Sequence, residues 1–324
     1  MSDNTIEIAK ETVAPGQLRR FELPVSRLST QTIVALPVTV VNGIESGPKL
    51  WLSAAIHGDE INGVEIIARV LSRLNPQKLR GTVIAVSIVN VFGFIEQSRY
   101  LPDRRDLNRS FPGSENGSLA SQLANLFMRE IVDRSTHGID LHTAAVHRIN
   151  LPQIRANLED ETTYRCAKAF GAPLMIHAKT ISGSLRHSAT KKGLPVLLYE
   201  AGEALRFDPL AIEVGVKGIL KVMNCLEMYE DELVSDTTDS IESRSSKWIR
   251  ATCGGIFHLE VNLGEKVIRK QELGFITNAF GEKRVSVRAT VDGIVISYTQ
   301  NPLVNQGDAI IHLAIAKIAD SIGN

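Results

Sequence analysis

His57 and Glu60, in Ala54-Ala55-Ile56-His57-Gly58-Asp59-Glu60, set an imidazole and a carboxylate three residues apart. They follow the apolar run Leu50-Trp51-Leu52-Ser53-Ala54-Ala55-Ile56, which reads as a buried strand. The residues after them, Glu60-Ile61-Asn62-Gly63-Val64-Glu65-Ile66-Ile67-Ala68-Arg69-Val70-Leu71, carry apolar side chains at helical spacing. The pair therefore stands where a strand ends and a helix begins, with i and i+3 side chains on one face. Open α/β sheets bind ligands in the crevice beyond the carboxyl ends of their strands. An imidazole nitrogen and a carboxylate oxygen are two of the three protein ligands of a hydrolytic zinc site, which keeps a fourth position for water. That chemistry requires a second histidine at another strand end.

Gly138-Ile139-Asp140-Leu141-His142-Thr143 supplies it, because a short apolar strand delivers His142 at its carboxyl end. Asp140 shares the face of His142 in an extended strand and is placed to support it or to contact the metal water. Between the two histidines lies Ser98-Arg99-Tyr100-Leu101-Pro102-Asp103-Arg104-Arg105-Asp106-Leu107-Asn108-Arg109, followed by Ser110-Phe111-Pro112-Gly113. A run of arginines is ordinarily a solvated loop; with a neighbouring Asn it is also a site for an anion, because guanidinium forks bind carboxylates bidentately. Finally, Leu197-Leu198-Tyr199-Glu200-Ala201-Gly202 ends a strand on a carboxylate, the position of a general base.

The elements that hold these residues alternate. Strands are expected at 50–56, 81–89, 138–142 and 194–200, and helices at 60–74, 118–134, 160–171 and 209–229. This implies a mixed, mostly parallel α/β sheet covered by helices. Residues 1–45 read as an N-terminal β segment packed on a catalytic domain spanning 46–230. The polar stretch 231–247 reads as a linker. Residues 248–324 are rich in β-branched residues and Gly turns. They contain a faint repeat, Gly254-Gly255-Ile256-Phe257 echoed by Asp292-Gly293-Ile294-Val295, and form a small all-β domain.

Composition narrows the function classes. The 324 residues are 44% hydrophobic and 22% charged, and 36 basic residues balance 36 acidic ones. No net charge argues for nucleic acid or an anionic membrane, and no apolar run approaches the ~20 residues of a membrane helix. The N-terminus lacks the pattern of a secretory signal. Cys166, Cys225 and Cys253 are scattered and odd in number, which fits reduced thiols in a cytoplasmic protein.

His57-Gly58-Asp59-Glu60, Arg99-Tyr100, Asp106-Leu107-Asn108-Arg109, Asp140-Leu141-His142 and Glu200-Ala201-Gly202 together resemble the aspartoacylase and succinylglutamate desuccinylase family, a branch of the zinc carboxypeptidase-like hydrolases. The resemblance covers roughly 49–228. It implies that His57, Glu60 and His142 bind one Zn²⁺ per chain, that Glu200 activates the attacking water, and that Arg99 polarises the scissile carbonyl. It further implies that Asn108 and Arg109, with Arg186 in a weaker match, hold a substrate carboxylate. The segment between Arg99 and Asp106 is longer than in aspartoacylase, so Arg104 or Arg105 could share Arg99's role. The C-terminal segment is similar to biotinyl/lipoyl-like barrel-sandwich domains, without the Met-Lys-Met signature of biotin carriers. It is expected to rim the active site or to support a homo-oligomer.

The expected activity is hydrolysis of an amide in a small carboxylate-bearing substrate, with no nucleic-acid or membrane partner. Three rivals remain at this stage. They are a metallocarboxypeptidase acting on peptides or cell-wall fragments, a binding protein with a degenerate metal site, and a carrier module modified at Lys283.

Overall fold

A computed structural model of the chain describes residues 4–231 and 239–315, so 1–3, the middle of the expected linker (232–238) and the C-terminal end (316–324) lie outside the described residues. One mixed sheet runs through most of the molecule. Its order is Gln17–Arg27, Ile33–Asn42, Arg80–Val86, Glu45–Ala54, His137–Ala144, Val196–Glu203, Arg148–Ala156, Gly293–Thr299, Ala309–Ile315 and Ser245–Arg250. The four strands from Arg80–Val86 to Val196–Glu203 are mutually parallel. Antiparallel strands flank them on both sides.

The parallel centre is covered on both faces, which is why its strands read as continuous apolar runs. Alternation still decides which side each residue feeds. Leu50, Leu52 and Ala54 belong to one core and Trp51 to the other. The first core packs the helices Asn62–Arg73, Glu161–Phe170 and Pro209–Cys225, through residues such as Ile66, Ile67, Val70, Phe170 and Ile219. The second takes the helix Leu119–Glu130 through Leu123, Phe127 and Met128.

The helix ends follow local chemistry. Asp208 accepts from the backbone N–H groups of Leu210 and Ala211, with Pro209 opening the helix. Asp160 caps Thr163 N, and Gly171 at φ +71° closes the same helix in the left-handed conformation.

The C-terminal strands make a third core, built from residues such as Phe257, Leu273, Ile276, Val295 and Leu313. It is sandwiched between the end of the main sheet and a four-stranded sheet containing Gly255–Leu259, Glu272–Thr277, Arg284–Arg288 and Leu303–Val304. The strand Gly293–Thr299 pairs directly with Arg148–Ala156, so backbone hydrogen bonds join this region to the catalytic sheet. The stretch read as a linker carries strand in its described part, at Ile241–Ser243 and Ser245–Arg250. Lys283 is exposed beside the turn before Arg284–Arg288. Among the described residues no helix is long and apolar enough to cross a membrane.

Candidate active site

Three strand ends converge. The strand Glu45–Ala54 stops at Ala55, whose φ of +49° is costly for a residue with a Cβ and turns the chain abruptly. Val89 N and Asn90 N donate to the carbonyls of Ala54 and Ala55 and hold the turn. Gly58 then passes so close to the backbone of Gly93 that an added Cβ would lie 1.9 Å from the Gly93 carbonyl carbon. Backbone atoms cannot yield as a flexible side chain can. Gly58→Ala is therefore expected to cost at least ~1–3 kcal/mol of stability and to displace His57. Thermal unfolding would show the loss, and a variant as stable as the parent would refute this packing account.

His57, Glu60 and His142 are all buried and come together, with ligand-capable atoms within 4.8 Å of one another. Glu60 Oε1 lies 2.6 Å from His57 Nδ1, and Glu60 Oε2 lies 2.8 Å from His142 Nδ1. The second carboxylate oxygen also accepts from Thr143 N at 3.1 Å. The outer nitrogen of each ring is fixed by a different carboxylate. His57 Nε2 is 3.2 Å from Asp106, and His142 Nε2 is 2.9 Å from Asp140. Ser53 Oγ donates to the other oxygen of Asp140 at 2.8 Å.

Metal-ligating histidines are held in this way, one nitrogen turned inward and the other oriented by a carboxylate. Two neutral imidazoles and one carboxylate also suit zinc better than hard, all-oxygen metals. The donor set fits the metal implied by the sequence.

The electrostatics are those of a tightly coupled cluster. Burial opposes protonation of His57 and His142, but the carboxylates of Glu60, Asp106 and Asp140 outweigh it and raise both imidazoles above their usual range. Burial alone would raise Glu60; the two imidazoles instead hold it far below the carboxylate range.

Arg99 reaches the same cluster. Its guanidinium donates to Asp106 Oδ2 at 3.0 and 3.2 Å and stands 3.5 Å from Glu60 Oε1. Asp106 also caps the short helical turn Leu107–Arg109 by accepting from Asn108 N. One carboxylate thus ties the arginine, a histidine and the Asn108 loop together. Sequence reasoning quoted Asp106 only as part of a motif; its place ahead of Leu107-Asn108-Arg109 is the capping signal that could have singled it out.

A cavity of about 260 Å³ opens over the cluster and is lined by His57, Glu60, His142, Arg99, Asn108, Arg109, Arg186 and Glu200, among others. These eight residues therefore face one space, whereas Asp140 lies outside its lining. Arg104 and Arg105 are exposed and form no part of the wall.

Asn108 Oδ1 accepts from Leu185 N at 2.9 Å, which fixes the amide in the wall. Arg186 is buried and donates from its two Nη atoms to the carbonyls of Ala178 and Lys179. Burial, then repulsion from Arg155, brings Arg186 down to about 10, which leaves it charged at neutral pH.

Glu200 is the direct neighbour of His142 in the parallel pair of strands, and the register slips immediately after it, towards Gly202 at φ +73°. A bulge of this kind re-aims a side chain at a site. Glu200 Oε2 accepts from Asn150 Nδ2 at 2.6 Å. Asn150, Arg148, Arg155, Trp248, Ser297 and His312 also line the wall, none of them read from the sequence. The last three come from the C-terminal strands, so that region closes one side of the cavity.

The family model for the succinylglutamate desuccinylase/aspartoacylase catalytic domain matches residues 46–226. The chain belongs to this family. Across 333 aligned positions it is 28% identical to N-alpha-acetyl-L-2,4-diaminobutyric acid deacetylase of Halomonas elongata, covering 98% of this chain and 96% of that protein. Among solved structures, a succinylglutamate desuccinylase/aspartoacylase from Rhodobacter sphaeroides superposes with a TM-score of 0.83 at 26% identity, covering 95% of this chain and 98% of that one. The product-bound ectoine utilization protein EutE of Ruegeria pomeroyi shares the fold, with a TM-score of 0.83 at 23% identity over 97% of this chain and 100% of that one. These near-complete overlaps extend the fold of this desuccinylase/aspartoacylase family member beyond the catalytic region into the C-terminal strands.

Proposed function

We propose that this protein is a zinc-dependent deacylase that hydrolyses the amide bond of a small N-acyl amino acid. The observation that carries the proposal is the buried His57–Glu60–His142 cluster facing one cavity with Glu200 and five arginines. The Halomonas deacetylase, similar along almost its whole length, supports the same reaction class.

His57, Glu60 and His142 would hold the zinc, which when bound acidifies water and polarises a carbonyl. Glu200 takes the proton of the attacking water and returns it to the leaving nitrogen. Asn150 holds Glu200 in position for both transfers by donating to one of its oxygens. Arg99, kept rigid by Asp106, places positive charge where the carbonyl oxygen becomes an oxyanion. The positive charges of Arg109 and Arg186, with the Asn108 amide in the same wall, select a substrate carboxylate.

The Halomonas relative, named a deacetylase of an N-acetyl amino acid, favours this reading over a carboxypeptidase acting on long peptides. In a panel of N-acetyl and N-succinyl amino acids and matched short peptides, the zinc-loaded protein is expected to turn over the N-acyl amino acids at least tenfold faster. Preference for the peptides would overturn the assignment. Removing zinc with a chelator is expected to abolish turnover, and re-addition to restore it.

A further inference from the structure

The loop that carries His57 and Glu60 is tied to the loop that follows Glu200. Asn62 opens the helix Asn62–Arg73, two residues after Glu60, and is only 1% exposed. Its Oδ1 accepts from Asp208 N at 3.0 Å, and its Nδ2 donates to the carbonyl of Ala201 at 3.4 Å. Both bonds leave its own helix. Their partners belong to the chain that runs from Glu200 into the helix Pro209–Cys225.

That chain needs holding. Glu200 is in register with His142, and the next pair on this side is Glu203 with Ala144. Ala201 and Gly202 therefore stand opposite Thr143 alone, which is the count of a bulge. The regular ladder gives out at the point where Glu200 must be aimed. Asn62 grips this irregular stretch at the Ala201 carbonyl.

Further contacts fix the same junction. Asp59, next to Glu60, accepts through its carbonyl from Leu205 N at 2.8 Å, and Leu205 keeps a left-handed φ of +60°. For leucine that conformation is costly and persists only where the surroundings impose it. Gly202, at φ +73°, packs so closely on the Asn62 amide that an added Cβ would lie 2.6 Å from Nδ2. On the other side, a Cβ on Gly63 would meet those of Ala54 and Leu141 at 2.7 Å. The helix start is thus wedged between the strands that deliver His57 and His142 and the bulge after Glu200. Asn62 itself does not line the cavity.

We propose that Asn62 is a positioning residue: it ties the metal-binding loop to the bulge after Glu200 and so fixes the general base relative to the metal cluster. Base and cluster lie on different segments, and one water must be within reach of both. Its part in the chemistry rests on the deacylase reading, from which a double-mutant cycle separates it.

Asn62→Ala is expected to lower kcat by about tenfold to a hundredfold, the loss that follows a ~1 Å misplacement of a reacting group. KM should change by less than about threefold, because other segments hold the substrate. Zinc should stay at one per chain, since all three ligands remain. A residue that merely stabilised the fold would lower the unfolding temperature and leave kcat of the folded, zinc-loaded protein unchanged. In the Glu200→Gln background, Asn62→Ala should cost less than about a further twofold, whereas independent effects multiply. Amide hydrogen exchange reads the tie without turnover, and should be at least about tenfold faster at Asp208 in Asn62→Ala. Should that variant not fold, Asn62→Ser, which keeps a hydroxyl at this place, is expected to show the same non-additivity.

Full activity of the folded variant, a loss that multiplies with that of Glu200→Gln, or unchanged exchange at Asp208 would overturn the role of Asn62 and leave the deacylase reading standing. Near-normal turnover of Glu200→Gln would remove the base, and Asn62's positioning of it, together. In a protein that hydrolyses no N-acyl amino acid the deacylase reading fails, while faster exchange at Asp208 would still sustain the tie between the two loops.

Discussion

Glu200→Gln is expected to lower kcat by about a hundredfold to ten-thousandfold, the range that a positioned proton-transfer group supplies. Zinc should remain bound at one ion per chain, because Glu200 is not one of the three clustered ligands. The fold should also survive. Asn150 Nδ2 donates to Glu200 Oε2, and a glutamine amide oxygen can accept the same bond. The variant thus removes basicity while keeping shape and the polar contact. Steady-state kinetics with elemental analysis of the same sample would check it. Near-normal turnover with zinc in place would remove Glu200 from the mechanism and point to another base.

The contrast with Asn150→Ala sharpens the assignment. That change leaves the carboxylate but removes the donor that holds it. A smaller fall in kcat is expected, of about tenfold, in line with the loss of one hydrogen bond to a charged group. If the two variants were equally impaired, Asn150 would itself be acting on substrate.

The placement of this candidate site was legible where it depends on short spacing. His57 and Glu60 are set by a strand-to-helix junction, and the end of a short apolar strand announces His142. A strand end also offered Glu200, and the resemblance gave Arg99, Asn108 and Arg109 of the arginine-rich loop their separate roles; all four line the cavity. What escaped depends on register between distant segments. Asn150 meets Ser297, and Ser297 meets His312, through pairings that no local pattern encodes.

The strand Arg148–Ala156 shows why. Its sequence, Arg148-Ile149-Asn150-Leu151-Pro152-Gln153-Ile154-Arg155-Ala156, carries polar residues and a proline within a central strand, where proline is normally excluded. The polar positions that hide the strand from a hydrophobic pattern include Arg148, Asn150 and Arg155, which are in the cavity wall. The four central strands had no such conflict, since both of their faces are covered and nearly every residue could be apolar. The junction with the C-terminal strands shows a related effect. A polar stretch beyond residue 230 looks like a connection, whereas its described part adds two short strands whose hydrogen bonds are made by backbone.

Removal of one proposed metal ligand has the largest expected consequence. His57→Ala leaves one imidazole and one carboxylate, and takes away the ring that joins Glu60 to Asp106 and lies beside Arg99. Zinc content should fall from one per chain to well below half after dialysis against a weak chelator, with turnover lost by more than about a thousandfold, since the metal supplies several kcal/mol of transition-state stabilisation. A graded partner makes the result diagnostic. Asp140→Asn keeps all three ligands but weakens the carboxylate that orients His142, and partners of this kind contribute about 10- to 100-fold to metal affinity. Its zinc affinity should drop by that amount, and saturating zinc should restore much of the activity. No amount of zinc should rescue His57→Ala fully. A His57→Ala protein retaining one tightly held zinc would show that the cluster in the strand-end crevice is a network of buried ion pairs, and that the metal, with the chemistry it supports, resides elsewhere.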